Sequence, residues 1–171
     1  DGMRMQIHFD TENELFAVFT RRLEDVTEQF PEVTEYLEDA LPESVTKGII
    51  DAEAVTYEAS SGDYLPFQYI SQRIKRKYDV DKLRHEYPVE VNVFDVLYWD
   101  GEDVTQKPYE IRRTIVELFK DVKGEMRPSR FKQATTAEEI DSFFGQAKAE
   151  GQEGVMLKSL SSPYKPGNRV G

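Results

Sequence analysis

The longest strand that the sequence predicts reads Val89-Glu90-Val91-Asn92-Val93-Phe94-Asp95-Val96-Leu97-Tyr98-Trp99 and ends at the turn Asp100-Gly101. In its first half every second residue is a valine, and the residues between them include Glu90 and Asn92. This period of two is typical of a strand that packs one face on a core and leaves the other face polar. The segment therefore predicts a sheet with one apolar and one polar surface.

Phe94 falls on the polar face of this strand. An aromatic ring in that position is what a flat base needs for stacking, a contact of about 1–3 kcal/mol in single-stranded nucleic-acid sites. A second interpretation is that Phe94 begins another apolar cluster with Val96 and Tyr98. The strand alone leaves both interpretations open.

Other segments show the same alternation or a helical repeat. Strands are predicted over 3–10, 15–20, 48–57, 129–133 and 153–158, and helices over 34–41, 67–78 and 109–119. A further helix is predicted to start at a cap, Thr135 or Thr136, and to run towards Gly151. Because strands and helices are interspersed and several strands alternate, we predict an α+β domain with antiparallel sheets.

Composition limits the class of protein. The chain has 171 residues, 39% of them hydrophobic and 12% aromatic, which predicts one folded domain with a real core. It has no cysteine, and no apolar run approaches the length of a membrane span. We therefore expect a soluble, cytoplasmic protein that does not contact a membrane.

The net charge of -11 disfavours a simple electrostatic binder of nucleic acid. One dense basic run, Arg73-Ile74-Lys75-Arg76-Lys77, stands against this acidic background. Most such runs are solvated helix faces. In so acidic a chain, however, this run is the natural place for a phosphate backbone to bind.

Two acidic positions are candidates for chemistry. Glu53 shares a strand face with Asp51, which fits either a solvent-facing pair or a carboxylate that binds a ribose hydroxyl or Mg²⁺. Glu153 opens the segment that ends at Lys158, and a carboxylate with a lysine suits phosphoryl transfer. In a regular strand these two side chains face opposite sides. Either the strand bends near Gly154 or only one side chain reaches the site, and Glu153 is the stronger candidate.

Several short blocks now identify a resemblance. The chain opens with Asp1-Gly2-Met3-Arg4 and carries Glu153-Gly154-Val155-Met156-Leu157-Lys158 near its end. These resemble the tail of motif I (K-x-D-G) and motif IV of ATP-dependent DNA ligases of archaeal type. Further similar stretches lie, in the family's order, at 19–27 (motif Ia, with Thr20 where Ser is usual), 50–53, 66–78, 94–101 (motif III) and 164–169 (the approach to motif V). The resemblance covers essentially the whole chain.

The resemblance implies a fold and a set of site residues. The implied fold has two antiparallel β-sheets flanked by helices, the nucleotidyltransferase (ATP-grasp-like) fold of DNA ligases and mRNA capping enzymes, with the nucleotide between the sheets. The residues it assigns to the nucleotide are Arg4, Arg21, Glu53, Phe94 and Arg169. Glu53 and Glu153 are the residues it assigns to Mg²⁺. ATP, as the donor of AMP, and Mg²⁺ are the implied cofactors.

The implied activity is the sealing of nicks in duplex DNA through a lysyl-AMP intermediate and a 5′-adenylated DNA. The motif I lysine would lie two residues before Asp1, and motif V would follow Gly171. We therefore expect residues 1–171 to be a single adenylation domain fragment that cannot adenylate itself, without the DNA-binding and oligonucleotide-binding-fold domains of such ligases. The expected partners are nicked double-stranded DNA and, through the parent protein, a sliding clamp; the protein is expected to be a monomer.

Other functions stay open at this point. An RNA ligase or an mRNA capping guanylyltransferase of the same superfamily would carry similar motifs. A non-catalytic nucleotide-binding remnant would lack the lysine altogether. The residues that precede Asp1 would discriminate between an enzyme and a remnant.

Overall fold

The computed structural model describes residues 2–167 and confirms the α+β class. The strands are β1 (Met3–Asp10), β2 (Leu15–Thr20), β3 (Lys47–Thr56), β4 (Val89–Trp99), β5 (Glu102–Asp103) and β6 (Met126–Pro128). The helices are α1 (Pro31–Ala40), α2 (Phe67–Lys75), α3 (Val80–Glu86), α4 (Tyr109–Val116) and α5 (Ala137–Ala149). A short 3-10 helix spans Thr27–Gln29.

The described strands form one six-stranded sheet in the order β2-β1-β3-β4-β5. These neighbours are antiparallel, whereas β6 pairs with β4 in parallel. Helices flank the sheet as predicted, but a second sheet is not found within residues 2–167. Segment 153–158 was predicted as a strand and is not one, because a strand needs a neighbour for its backbone hydrogen bonds and the described part of the chain supplies none there.

The core lies on one face of this sheet. Met5, Ile50 and Val91 come from three neighbouring strands and are completely buried, and α1 covers them with Val33 and Leu37. The burial pattern of β1 alternates strictly over its whole length, as its sequence predicts. Alternation thus fixes which surface of the sheet is the core and leaves the opposite surface available for polar side chains.

Helix ends differ from the sequence predictions for identifiable reasons. Helix α1 begins at Pro31, earlier than predicted, because proline fits the first turn of a helix, where its missing N–H is not needed. Helix α2 ends at Lys75, and the left-handed Asp79 (φ 59°) separates it from α3, which the sequence analysis missed. The predicted cap of α5 is confirmed as a capping box between Thr136 and Glu139.

Two further predictions were wrong. The strand predicted over 129–133 lies three residues earlier, at Met126–Pro128, where it can pair with β4. Arg73 was predicted in a basic patch for phosphate, but it is only 1% exposed and lies over the Phe30 ring at 4.3 Å. Its guanidinium is paired with Glu32, so Arg73 belongs to the core. Among residues 2–167, no helix has the length and apolar character needed to cross a membrane.

Candidate functional site

Polar and charged residues of three neighbouring strands lie together on the polar face of the sheet. In the register of the strands Arg4 of β1 lies opposite Glu53 of β3, and Glu53 lies opposite Asn92 of β4. Residues that oppose each other in a ladder point to the same face. Arg4, Glu53 and Asn92 therefore form a row across the sheet, and Glu53 is half-buried there.

A β-bulge at Phe94 in β4 changes which side chains face this row. Asp51 pairs with Asp95 and Ala52 pairs with Val93, so Phe94 is an extra residue without an opposite partner in β3. A bulge of this kind re-aims side chains and is frequent next to active sites. Phe94 and Asp95 can then both face the polar side. The sequence signal for the bulge is the change in spacing between the buried residues Val93 and Val96, which are three positions apart instead of two.

A buried carboxylate organises one side of the site. Asp51 is 0% exposed and accepts hydrogen bonds at Oδ2 from Arg4 Nη2 (2.7 Å) and from the Tyr164 hydroxyl (2.6 Å). Arg4 Nη2 also donates to the Tyr164 hydroxyl at 2.5 Å. Burial raises the pKa of Tyr164, and its hydrogen bond to Asp51 adds to that rise. Burial is the largest influence on the pKa of Arg4 and lowers it, but the charges and hydrogen bonds of Asp51 and Tyr164 together outweigh burial, so the net shift is upward.

Tyr164 is held in place by the start of α4. The backbone N–H groups of Tyr109 and Glu110 donate to the carbonyls of Ser162 and Leu160, each at 2.9 Å. These are N–H groups of the first helical turn, which have no partner inside the helix. The segment before Tyr164 thus satisfies the helix end, and the Tyr164 N–H donates to Thr105 at 2.7 Å.

Gly2 shows how closely the start of the chain approaches Glu53. A Cβ atom at position 2 would lie 2.6 Å from Glu53 Oε1 and 3.0 Å from the carbonyl oxygen of Ala54. Such distances are closer than van der Waals contact allows, so any larger residue at this position would displace the Glu53 side chain. The backbone that enters β1 therefore runs directly beside the Glu53 carboxylate.

The other side of the site is built around Asp95, which is 3% exposed. Arg112 Nε donates to Asp95 Oδ1 at 2.8 Å, and Arg112 itself is 2% exposed. Lys158 Nζ lies 3.9 Å from Asp95 Oδ2 and 4.8 Å from the ring centroids of both Phe94 and Tyr109. Desolvation lowers the pKa of Lys158 even though Asp95 opposes the shift. Lys158 thus makes cation–π contacts with two aromatic rings at this corner of the site.

The remaining predicted site residues are spread more widely. Arg21 is exposed in the turn that follows Thr20, and because Thr20 pairs with Met5, Arg21 stands at the same end of the sheet as Arg4. Glu153 is exposed in the segment that leads to Lys158. Arg169 lies outside the described residues. The structure thus brings Arg4, Glu53 and Phe94 together on one face.

Sequence reasoning missed part of this site. Asp95, Arg112 and Tyr164 were not singled out, and Lys158 was considered less suitable than Glu153. Asp51 was noted only as the neighbour of Glu53. The spacing of charged residues within one strand shows which of them share a face. It cannot reveal that Asp51 has a partner such as Tyr164, which is 113 residues away along the chain.

Oxygen ligands suitable for a hard cation are present on this face. Within residues 2–167 no group of three or more His, Cys, Asp and Glu side chains is close enough to hold a metal by itself. Mg²⁺ commonly needs only one or two carboxylates, because substrate phosphates and water complete its octahedron. Asp51 Oδ1 is buried and has no hydrogen-bond partner in the described structure, and Glu53 lies on the same face. The residues present therefore fit Mg²⁺ bound together with a phosphate-bearing ligand.

Comparison with known proteins places this geometry in a family. A family model described as the ATP dependent DNA ligase domain matches residues 1–171. The DNA ligase of Nanoarchaeum equitans is 41% identical over 172 residues, which is 100% of this chain and 30% of that protein. DNA ligase 2 of Thermofilum pendens is 41% identical, over 99% of this chain and 28% of its own length. The chain thus spans about 30% of the length of these curated relatives.

Solved structures agree with the family model. The ligase domain of LigD from M. tuberculosis superimposes with a TM-score of 0.68 at 26% identity, covering 99% of this chain and 50% of that one. A mycobacterial DNA ligase D solved in complex with ATP and MES gives a TM-score of 0.66 at 26% identity, over 99% and 49% of the two chains.

Proposed function

Because the chain belongs to the ATP dependent DNA ligase domain family, we propose that the polar face of its sheet is the nucleotide-binding wall of an adenylation domain. The observation that carries this proposal is the convergence of Phe94, Glu53 and Arg4 on one face, beside the backbone that enters β1. It combines a flat apolar surface, a carboxylate and a cation on one face of the sheet, which forms one wall of the proposed nucleotide cleft. An adenine ring, a ribose and a phosphate are the groups that match these three features.

Each side chain has a definite task in this proposal. Phe94 stacks on adenine from the polar face that it shares with Asn92, and the bulge in β4 brings Asp95 to the same face. Glu53 accepts hydrogen bonds from ribose hydroxyls, while Arg4 contacts the ribose or phosphate. Arg21 binds a phosphate at the same end of the sheet, and Arg169 is proposed to do so from beyond the described residues. The buried Asp51 and the half-buried Tyr164 hold the Arg4 guanidinium in place.

We propose that the nucleophile is a lysine two residues before Asp1. Since Gly2 touches Glu53, a lysine at that position lies within a few residues of the cleft. Its neutral amine attacks the α-phosphorus of ATP, a P–N bond forms, and the bond to pyrophosphate breaks. A lysine must first lose a proton to attack, and nearby cations such as Arg4 favour that loss by lowering its pKa.

Glu53 and Glu153 are the residues we propose for Mg²⁺, with Asp51 Oδ1 as a further oxygen on the same face. When bound, the ion neutralises phosphate charge as pyrophosphate leaves. The protein groups position the α-phosphate and screen the remaining charge.

For the whole protein we propose the sealing of nicks in double-stranded DNA. The enzyme-bound AMP passes to a 5′-phosphate, and the adjacent 3′-hydroxyl then displaces AMP to close the backbone. The named relatives are DNA ligases, which supports DNA over RNA as the substrate. We also propose that the whole protein is monomeric and cytoplasmic, and that it binds a sliding clamp through other parts of the parent chain.

The test is intact mass spectrometry of a longer polypeptide that carries the residues before Asp1 and after Gly171. It is incubated with Mg²⁺ and ATP, and we expect a gain of one AMP. Replacement of the upstream lysine by alanine should abolish the gain, while the 171-residue chain alone should show none. A gain with GTP but not with ATP would transfer the proposal to a capping guanylyltransferase. No adduct with either nucleotide in a folded polypeptide would favour a binding remnant.

A further inference from the structure

Helix α1 anchors both helices that follow β3. Its buried Glu32 pairs with Arg73 near the end of α2, and Arg73 Nη2 also donates to the carbonyl of Gln29 at 2.7 Å. Three residues further along α1, Glu35 binds Arg84 of α3 through two hydrogen bonds of 3.0 and 2.6 Å. Residues of α1 thus hold both α2 and α3, the helices on either side of the short connection between them.

The residues between these anchors face the solvent. Lys75, Arg76, Lys77 and Tyr78 are all exposed, and we refer to them as the basic tract. Within residues 2–167 none of its three cations forms an ion pair, whereas Arg73 and Arg84 on either side are both paired. Tyr78 is 74% exposed, an unusual degree for so large an aromatic side chain.

The basic tract lies close to the turn after β2. The side-chain amide of Gln29 donates to the carbonyl of Ile74 at 3.0 Å, which joins the end of α2 to the segment that follows this turn. The pKa of Asp25 is lowered mainly by its hydrogen bonds with Thr27, and the charge of Lys77 contributes to the shift. Exposed Arg21 and Arg22 belong to the same turn. Basic residues from two distant parts of the sequence therefore share one end of the domain.

We propose that the basic tract is a binding site for the phosphate backbone of duplex DNA. The proposal rests on the proposed function, since a ligase domain must hold its DNA, and it names where this chain does so. In a protein with a net charge of -11, duplex DNA is repelled by most of the surface. An unpaired cluster of cations is the place where phosphates can replace counterions with a gain in free energy. The exposed Tyr78 ring adds a flat surface that can pack on the sugar or on an exposed base.

The experiment measures binding of the 171-residue chain to a fluorescent nicked duplex by anisotropy over a range of salt concentrations. The test variant is Lys75→Ala/Arg76→Ala/Lys77→Ala. The control variant Lys120→Ala/Lys123→Ala/Lys148→Ala also removes three exposed cations, so the two variants have equal net charge. Circular dichroism checks that both remain folded.

We expect the test variant to bind roughly tenfold or more weakly, with a salt slope smaller by about one for each lost phosphate contact. The control should keep the wild-type slope. Equal losses in both variants, an unchanged test variant, or no binding of DNA by the wild-type chain would each overturn the proposal.

A second readout separates this proposal from the proposed function. The same triple change is made in the longer polypeptide, and the gain of AMP is measured without DNA. We expect adenylation to be unchanged, because the basic tract does not contribute to the polar sheet face. If wild-type polypeptide fails to gain AMP while the basic tract still governs DNA binding, the proposed nucleotide chemistry fails and the DNA site stands. A loss of adenylation in the variant would show that the tract acts on the nucleotide instead of DNA.

Discussion

The two faces of the sheet are made by the same strands but follow opposite rules. On the core face, residues such as Ile50 and Val91 are completely buried and belong to the hydrophobic core cluster. On the polar face, Asp51 and Asp95 are almost as deeply buried, yet each is a carboxylate held by an arginine. Burial alone therefore does not distinguish a core from a site. Within the sheet the two faces differ in the chemistry of their buried groups, although the helices α1 and α2 also bury an ion pair, Glu32–Arg73, in the core.

The difference shows which face stabilises the protein and which face serves binding. Apolar burial gives a net gain of about 25 cal/mol per Å². Buried ion pairs recover only part of the desolvation free energy of their charges, and apolar replacements are often equally stable. A gain in folding stability therefore does not explain why the polar face carries two such pairs. We interpret the pairs Arg4–Asp51 and Arg112–Asp95 as devices that fix the orientation of charged groups around the cleft.

The largest effect is expected from a pair of neighbouring isoleucines that point to opposite faces. Ile50→Ala, on the core face, should lower the free energy of unfolding by about 2–5 kcal/mol, because it leaves a cavity in a closed core. Ile49→Ala, on the half-exposed face, is the matched control and should lower it by roughly 1 kcal/mol. Urea denaturation measures both. Equal losses would contradict the division of the sheet into two faces.

A smaller loss of stability is expected from the buried carboxylate of the polar face. Asp51→Asn removes the charge that faces Arg4 and weakens the hydrogen bond from Tyr164, which should lower the free energy of unfolding by about 1–3 kcal/mol. Glu53→Gln, on the same strand but half-exposed, should change it by less than roughly 0.5 kcal/mol. If Asp51→Asn instead stabilises the chain, the ion pair between Arg4 and Asp51 lowers the stability of the wild type. That result would make the contrast between the core face and the polar face sharper still.

Phe94→Ala tests the binding role of the polar face directly. Loss of a stacking contact worth about 1–3 kcal/mol should weaken ATP binding by roughly 5- to 150-fold. Phe94→Tyr keeps the ring and should bind ATP like the wild type. Isothermal titration calorimetry measures the affinities. Unchanged affinity in the alanine variant would remove Phe94 from the proposed site and favour its alternative role in an apolar cluster.

The smallest effect concerns His8, which lies on the polar face beside Gln6 and 5.1 Å from the Phe19 ring. Burial lowers its pKa below the ordinary value of 6.5, although the charge of Asp51 opposes the shift. The unfolded chain then binds more protons between the two pKa values, so this residue destabilises the fold as the pH falls below about 6.5. Relative to His8→Gln, the wild type should lose stability between about pH 7.5 and pH 5.5. A difference that does not change with pH would show that the His8 pKa is unshifted.

Local sequence patterns correctly predicted several elements whose signals lie within a short stretch of the chain. The alternation of β1, the eleven-residue β4 and the Thr136 capping box were all predicted, because each depends on residues close together in the chain. The prediction of a strand over 153–158 was wrong, because a strand needs a neighbouring strand and the described residues do not supply one there. The prediction that Arg73 binds phosphate was wrong for a related reason. Nothing within the run 73–77 reveals that one of its cations meets Glu32, 41 residues earlier.

The sequence by itself determined the two faces of the sheet and the resemblance of its motifs to a ligase family, because side-chain period and motif order are local properties of the chain. Only the tertiary structure decided which charges are paired. The bulge at Phe94, the buried network of Asp51 with Tyr164, and the contrast between buried Arg73 and exposed Lys75 all depend on contacts between distant segments. A charge has no fixed role until folding sets its distance from an opposite charge and from water, since both determine its free energy.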